Sequence, residues 1–124
     1  MPVANHFILA GAVYGVIGML MGFLMAGSQD FSMTPVHSHI LLLGWVSMAL
    51  FGLVYRSIPA MAAERLAKWH FMIMNTGFIV MMVTLSMAMK GNQSVVTVLV
   101  LAEIAVILGM VIFAWLMLKH RKAT

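Results

Sequence analysis

Four apolar stretches, each long enough to cross a bilayer, decide most of what this chain can fold into. They cover about 7–26, 36–58, 71–89 and 94–118. A helical span needs about 20 apolar residues, because each residue rises about 1.5 Å through a hydrocarbon core about 30 Å thick. Inside lipid every backbone donor and acceptor needs a partner from the protein, and a helix supplies them all within one segment. The expected fold is therefore all-α: a single domain over 1–124 forming a four-transmembrane-helix integral membrane protein. Composition agrees, since 64% of residues are hydrophobic, 8% are charged and the mean hydropathy is +1.07. An ordinary soluble globule is excluded.

The segments between the spans read as connectors. Residues 27–35, GSQDFSMTP, are polar and place Pro35 in the first turn of the second helix, where a missing N–H costs nothing. Pro59 closes that helix, and residues 60–69 form a charged turn with a short surface helix. Residues 90–93, KGNQ, form a tight polar loop. Residues 1–6 carry no lysine or arginine and no compact cleavage motif follows, so the first run is expected to stay as a span rather than be removed. Basic residues near the spans divide six to one: Arg56, Arg65, Lys68, Lys119, Arg121 and Lys122 against Lys90. By the positive-inside rule both termini are expected on the cytoplasmic side of a cell inner (plasma) membrane.

Several kinds of chemistry fall away. With no cysteine there is no disulfide, thiolate zinc site, covalently attached heme or cysteine nucleophile. The net charge of +4 is carried mostly by residues flanking the spans, a topology signal rather than a nucleic-acid surface. The fifteen methionines are scattered through apolar runs, which suits flexible core filler better than a copper motif.

What remains is a histidine pair, His37 and His39, at the mouth of the second span. Ionisable side chains in a membrane segment are expensive and mark function by default. Helical residues advance about 100° each, so the two rings lie roughly 200° apart and cannot clamp one ion together. Each must serve its own partner on its own side of the helix, which hints at an oligomer. Below His37 follow Leu41, Gly44 and Met48, with Gly44 leaving room for a flat group against the backbone. Below His39 follow Leu43, Val46 and Leu50. Two readings fit these residues: interfacial histidines hydrogen-bonded to water, and imidazoles holding heme, whose iron takes histidine as a common axial ligand.

The run HSHILLLGWVSMALFGLVYRSIP resembles the tenth helix of subunit I of the heme-copper oxidase superfamily, which includes cytochrome oxidases and nitric-oxide reductases. It carries His37 and His39, then Phe51-Gly52, Tyr55 and a closing Pro59, with Asp30 matching an acidic residue of the preceding loop. Lys68-Trp69-His70-Phe71, followed by Gly77, is similar to the start of the family's eleventh helix. The specific resemblance covers about 30–77, and by helix count the chain looks like the last four of twelve helices. It implies His37 and His39 as axial ligands of heme b, one on each side of the helix. It also implies Lys90 as a cation near the heme propionates, although the family residues there are arginines. Met72 stands where the family has a tryptophan, and the histidines that hold copper have no counterpart, so copper and an oxygen-reducing centre are not expected.

The family's twelve helices form three four-helix arcs, and a chain resembling one arc would rebuild the whole as a closed homotrimer. The expectation is a b-type cytochrome without catalytic residues, with heme between His37 of one chain and His39 of the next. Its task would be electron transfer, redox sensing or heme handling. The competing classes are an oxygen- or nitric-oxide-reacting oxidoreductase with an open iron position, and a heme-free copper-handling or structural membrane protein. Glu103, roughly 13 Å into the fourth span, reads either as a proton relay or as an inter-helix hydrogen bond with Asn75 or Thr84. His6, His70 and His120 sit at cytoplasmic helix ends, where His70 beside Trp69 and Arg56 beside Tyr55 read as interfacial anchors.

Overall fold

The computed structural model describes residues 1–123; Thr124, the last residue of the expected domain, lies outside the described residues. Four helices are long and apolar enough to cross a membrane: α1 (Val3–Ser28), α2 (Thr34–Ser57), α3 (Arg65–Met89) and α4 (Gln93–Lys119). The chain is a multi-pass membrane protein by these criteria, and no strand occurs among the described residues. The connectors end where local chemistry stops the helices. Gln29 adopts a left-handed conformation (φ 56°) after α1, and Gly91 does so (φ 97°) after α3. Asp30 Oδ1 accepts from the Ser32 N–H at 3.0 Å, and Asn92 Oδ1 accepts from the Ser94 N–H at 3.0 Å. Pro35 and Pro59 each stand in a first turn, of α2 and of the short helix Pro59–Ala62.

Lipid tails are as apolar as leucine, so helices in a bilayer associate through close packing and hydrogen bonds, which small residues favour. The α1/α2 contact is built on a glycine ladder, Gly11, Gly15, Gly18 and Gly22, spaced four, three and four residues apart. A Cβ on Gly11 would stand 3.1 Å from the Ala49 nitrogen; one on Gly18 would stand 2.6 Å from Leu41 Cδ2; one on Gly22 would stand 2.7 Å from His37 Cε1. The α3/α4 contact uses the same device, with Gly77 against Ala105 and Gly109 against Met74. Tyr14 donates a hydrogen bond to Asn75 Oδ1, joining α1 to α3. Met48, Met61 and Met74 lie among the largest fully buried side chains, as expected of methionine used as filler.

α2 is not a uniform α-helix. From Ile40 to Ser47, directly after His39, its backbone is π-helical, and Ser47 Oγ donates to the Leu42 carbonyl at 2.8 Å. Such segments have i→i+5 bonding and wider turns, and in natural proteins they gather at functional sites.

Candidate functional site

His37 and His39 belong to the α-helical first turns of α2, ahead of the π-helical segment. Their azimuths therefore follow ordinary α-helical geometry, and they face different neighbours. His37 turns towards α1, where its ring lies over Gly22 and its Nδ1 stands 2.9 Å from the Gly18 carbonyl oxygen. His39 turns the other way and lines a groove of about 430 Å³ with Leu43, Ser47, Phe51, Met74 and Glu103 among its walls. Its Nδ1 stands 2.6 Å from the Pro35 carbonyl oxygen.

A carbonyl oxygen only accepts, so each Nδ1 carries the proton and donates. A neutral ring held this way has its lone pair on Nε2, the state in which imidazole binds a metal. Metal-binding histidines usually show this second hydrogen bond, which fixes ring and tautomer together. The donor chemistry of both rings thus suits heme iron. Nothing within one chain brings them together, and no group of three or more His, Asp or Glu side chains that could hold a metal occurs among the described residues.

The faces below the pair differ in detail from those expected of a regular α-helix. Leu41, Gly44 and Met48 do follow His37 along the α1-facing side, against Gly18, Tyr14 and Gly11 respectively. The room expected at Gly44 is filled within the chain, since a Cβ there would stand 2.8 Å from Phe78 Cζ and 2.9 Å from Tyr14 Cβ. Gly44 therefore acts here as a helix-contact glycine. On the other side, Val46 and Leu50 are not below His39. They are 42% and 56% exposed, and Ser47 and Phe51 take their places in the groove. In an α-helix, steps of four residues drift by about 40° each; the wider π turns cancel that drift and keep His39, Leu43, Ser47 and Phe51 in line.

Lys90 is exposed at the C-terminal end of α3, the end of the bundle that also holds the start of α2. Glu103 lines the His39 groove rather than bonding to Asn75 or Thr84. Asn75 is taken by Tyr14, and the Thr84 hydroxyl donates to the Val80 carbonyl at 2.7 Å.

At the opposite end of α2, the expectation of interfacial anchors fails for His70 and Tyr55. Both are fully buried, and Tyr55 Oη lies 2.8 Å from His70 Nδ1. Phe7 and Phe51 pack on the imidazole with ring centroids 4.8 Å away, and Phe113 packs at 5.6 Å. His70 Nε2 has no conventional hydrogen-bond partner. If the phenol donates to Nδ1, Nε2 carries the ring proton, within an imidazole packed among Phe7, Phe51 and Phe113. The cage comes from α1, α2 and α4, so its members stand far apart in sequence. Trp69 does remain exposed, and Arg56 Nη2 donates to Asn5 Oδ1 at 2.7 Å.

Between α2 and α3, Glu64 accepts from Lys119 Nζ at 2.5 Å and lies 3.0 Å from His120 Nε2. These hydrogen bonds hold its carboxyl below the usual glutamate range. Neither this cluster nor the glycine ladder figures in the expectations above. The four-three-four glycine spacing was the readable signal for the ladder; the Glu64 cluster had none, because its partners lie 55 and 56 residues away.

No protein-family model, curated protein or solved structure matches this chain.

Proposed function

We propose that the chain is a membrane b-type heme protein that forms a closed homotrimer, with each heme between two subunits. His37 of one subunit and His39 of the next are its axial ligands. The observation that carries this reading is the matched state of the two rings. Each donates its Nδ1–H to a backbone carbonyl, which makes Nε2 the nitrogen available to a metal, and turns to the opposite side of α2 from the other. A single chain then offers two half-sites, and a closed ring completes every one of them. The resemblance of residues 30–77 to the heme-copper oxidase superfamily supports the same pairing.

Heme with two imidazole ligands supplies one-electron chemistry and leaves no iron position open. Electron transfer, redox sensing or heme handling follows from that, and catalysis does not. Lys90 stands at the correct end of the bundle to neutralise propionates. The excess of basic residues at the other end supports a cytoplasmic location for both termini, which would put the heme near the outer face of the inner membrane. The test is the absorption spectrum and heme content of purified protein. The expected result is a low-spin reduced spectrum that does not change with carbon monoxide and is lost in His37→Ala and in His39→Ala. Heme retained in both variants would refute the ligand assignment, and carbon-monoxide binding would indicate an open, reactive iron.

One observation favours a second reading. Met74, Met81 and Met110 line the His39 groove, a soft donor set suited to Cu(I). Heme-free protein from heme-replete cells that binds Cu(I) stoichiometrically, and loses it in His39→Ala, would establish this reading.

A further inference from the structure

At the end of the bundle away from the histidine pair, three grooves run into one another. The first, of about 460 Å³, has Arg56 of α2 and Lys68 of α3 in its walls. The second, of about 370 Å³, shares Lys68 with it and adds His6 and Phe71. The third, also about 370 Å³, shares His6 and Phe71 and continues between α1 and α3 past Leu9 to Ile79. Arg56 lies near the end of α2 and Lys68 in the first turn of α3, both exposed and beside the exposed Trp69, so their charges stand at headgroup depth. From Lys68 to Ile79 the helix rises roughly 16 Å, about half of a hydrocarbon core about 30 Å thick. The path therefore has the depth of one leaflet, cationic at its mouth and mostly apolar below. No carboxylate lines any of the three grooves. Glu64, at this end, is engaged by Lys119 and His120; Asp30 is at the other end, and Glu103 lines the His39 groove. Arg56 spends one N–H on Asn5 Oδ1, and Lys68 forms no hydrogen bond or ion pair among the described residues. The two cations at the mouth thus lack an anion.

We propose that this end of the bundle binds one anionic phospholipid, its head-group phosphate between Arg56 and Lys68 and one acyl chain along the α1/α3 groove. The phosphate supplies the missing anion, and guanidinium and ammonium both donate to its oxygens. Basic pockets between membrane spans suit anionic head groups for this reason. The groove below buries a chain against Leu9, Phe71 and Ile79, which a free phosphate would leave bare. The site is separate from the His39 groove and does not depend on the heme ligation.

The test is native mass spectrometry of the full chain in detergent, titrated with dioleoyl phosphatidylglycerol, dioleoyl phosphatidylcholine or inorganic phosphate. Wild type is expected to retain one phosphatidylglycerol per chain, more tightly than phosphatidylcholine. Each cation near a head group contributes about fivefold in affinity, so Arg56→Gln with Lys68→Gln is expected to bind phosphatidylglycerol roughly 25-fold more weakly. Arg65→Gln with Lys122→Gln removes the same charge from the same end, lines none of the grooves, and is expected to bind as wild type. Ala10→Phe fills the α1/α3 groove, leaves both cations in place and is expected to lose the lipid; it carries the test if the double glutamine variant does not fold. Equal retention of the two lipids would assign the groove to ordinary surrounding lipid, and an equal loss in the charge-matched control would assign binding to diffuse charge. Phosphate bound as tightly as the lipid would reduce the site to a free-anion site. Each of these results overturns the proposal, as does unchanged binding in Ala10→Phe.

Discussion

On the proposed ligation, replacing Gly22 with alanine should weaken heme binding while leaving the fold in place. A Cβ at this position would stand 2.7 Å from His37 Cε1 and 3.3 Å from Nε2, where ordinary contact begins near 3.4 Å. The ring must therefore give way by about 0.7 Å. Its hydrogen bond to the Gly18 carbonyl is 2.9 Å long, so a shift of that size carries Nδ1 to the limit of hydrogen bonding. The bond itself contributes about 0.5–1.5 kcal/mol, and loss of such an orienting partner costs about 10–100-fold in metal affinity. Alanine is favoured over glycine inside a helix by about 1 kcal/mol, which opposes any loss of stability. Gly27→Ala is the control, because a Cβ there meets nothing within 4 Å. Heme titrated into heme-depleted protein, followed by difference absorbance, should show weaker binding in Gly22→Ala alone. Equal affinity for Gly22→Ala and wild type would refute the claim that the α1 seat holds His37 ready for iron.

Two further predictions concern the other end of the bundle. Tyr55→Phe leaves both nitrogens of the buried His70 without a hydrogen-bond partner and should destabilise the protein by about 1–3 kcal/mol, whereas Tyr55→Phe with His70→Phe should recover most of that loss. Unfolding curves in detergent check this, and an unperturbed Tyr55→Phe would show that the pair contributes nothing. Glu64 has a carboxyl pKa lowered in the folded state by Lys119 and His120, so its contribution to stability is present above the ordinary value of 4.5 and fades as the pH falls through the lowered one. Glu64→Gln should therefore melt below wild type at neutral pH and match it in acid; a gap of the same size at both would point to packing rather than charge.

The four spans were legible because hydropathy over about 20 residues is decided by the bilayer, not by tertiary detail. The opposed directions of His37 and His39 were legible for a similar reason, since both lie within regular α-helix. Below them the face assignment failed at Val46 and Leu50, because the π-helical segment changes the angular step and no local motif announces it. His70 was misread because position at a span end suggests a headgroup anchor, while its burial depends on Phe7, Phe51 and Phe113 arriving from other helices. Gly44 illustrates the same limit: a glycine tells that something comes close, but Tyr14 and Phe78 appear only in the fold.

The proposed heme between His37 of one subunit and His39 of the next can be tested by mixing subunits. His37→Ala and His39→Ala chains, each expected to be heme-free alone, are co-expressed with different tags and the mixed oligomers isolated. Any closed three-chain ring containing both kinds has one junction where an intact His37 meets an intact His39. Mixed rings should regain one low-spin heme each. Mixed oligomers as empty as either variant alone would contradict it, because ligands drawn from a single chain cannot be restored by a neighbour.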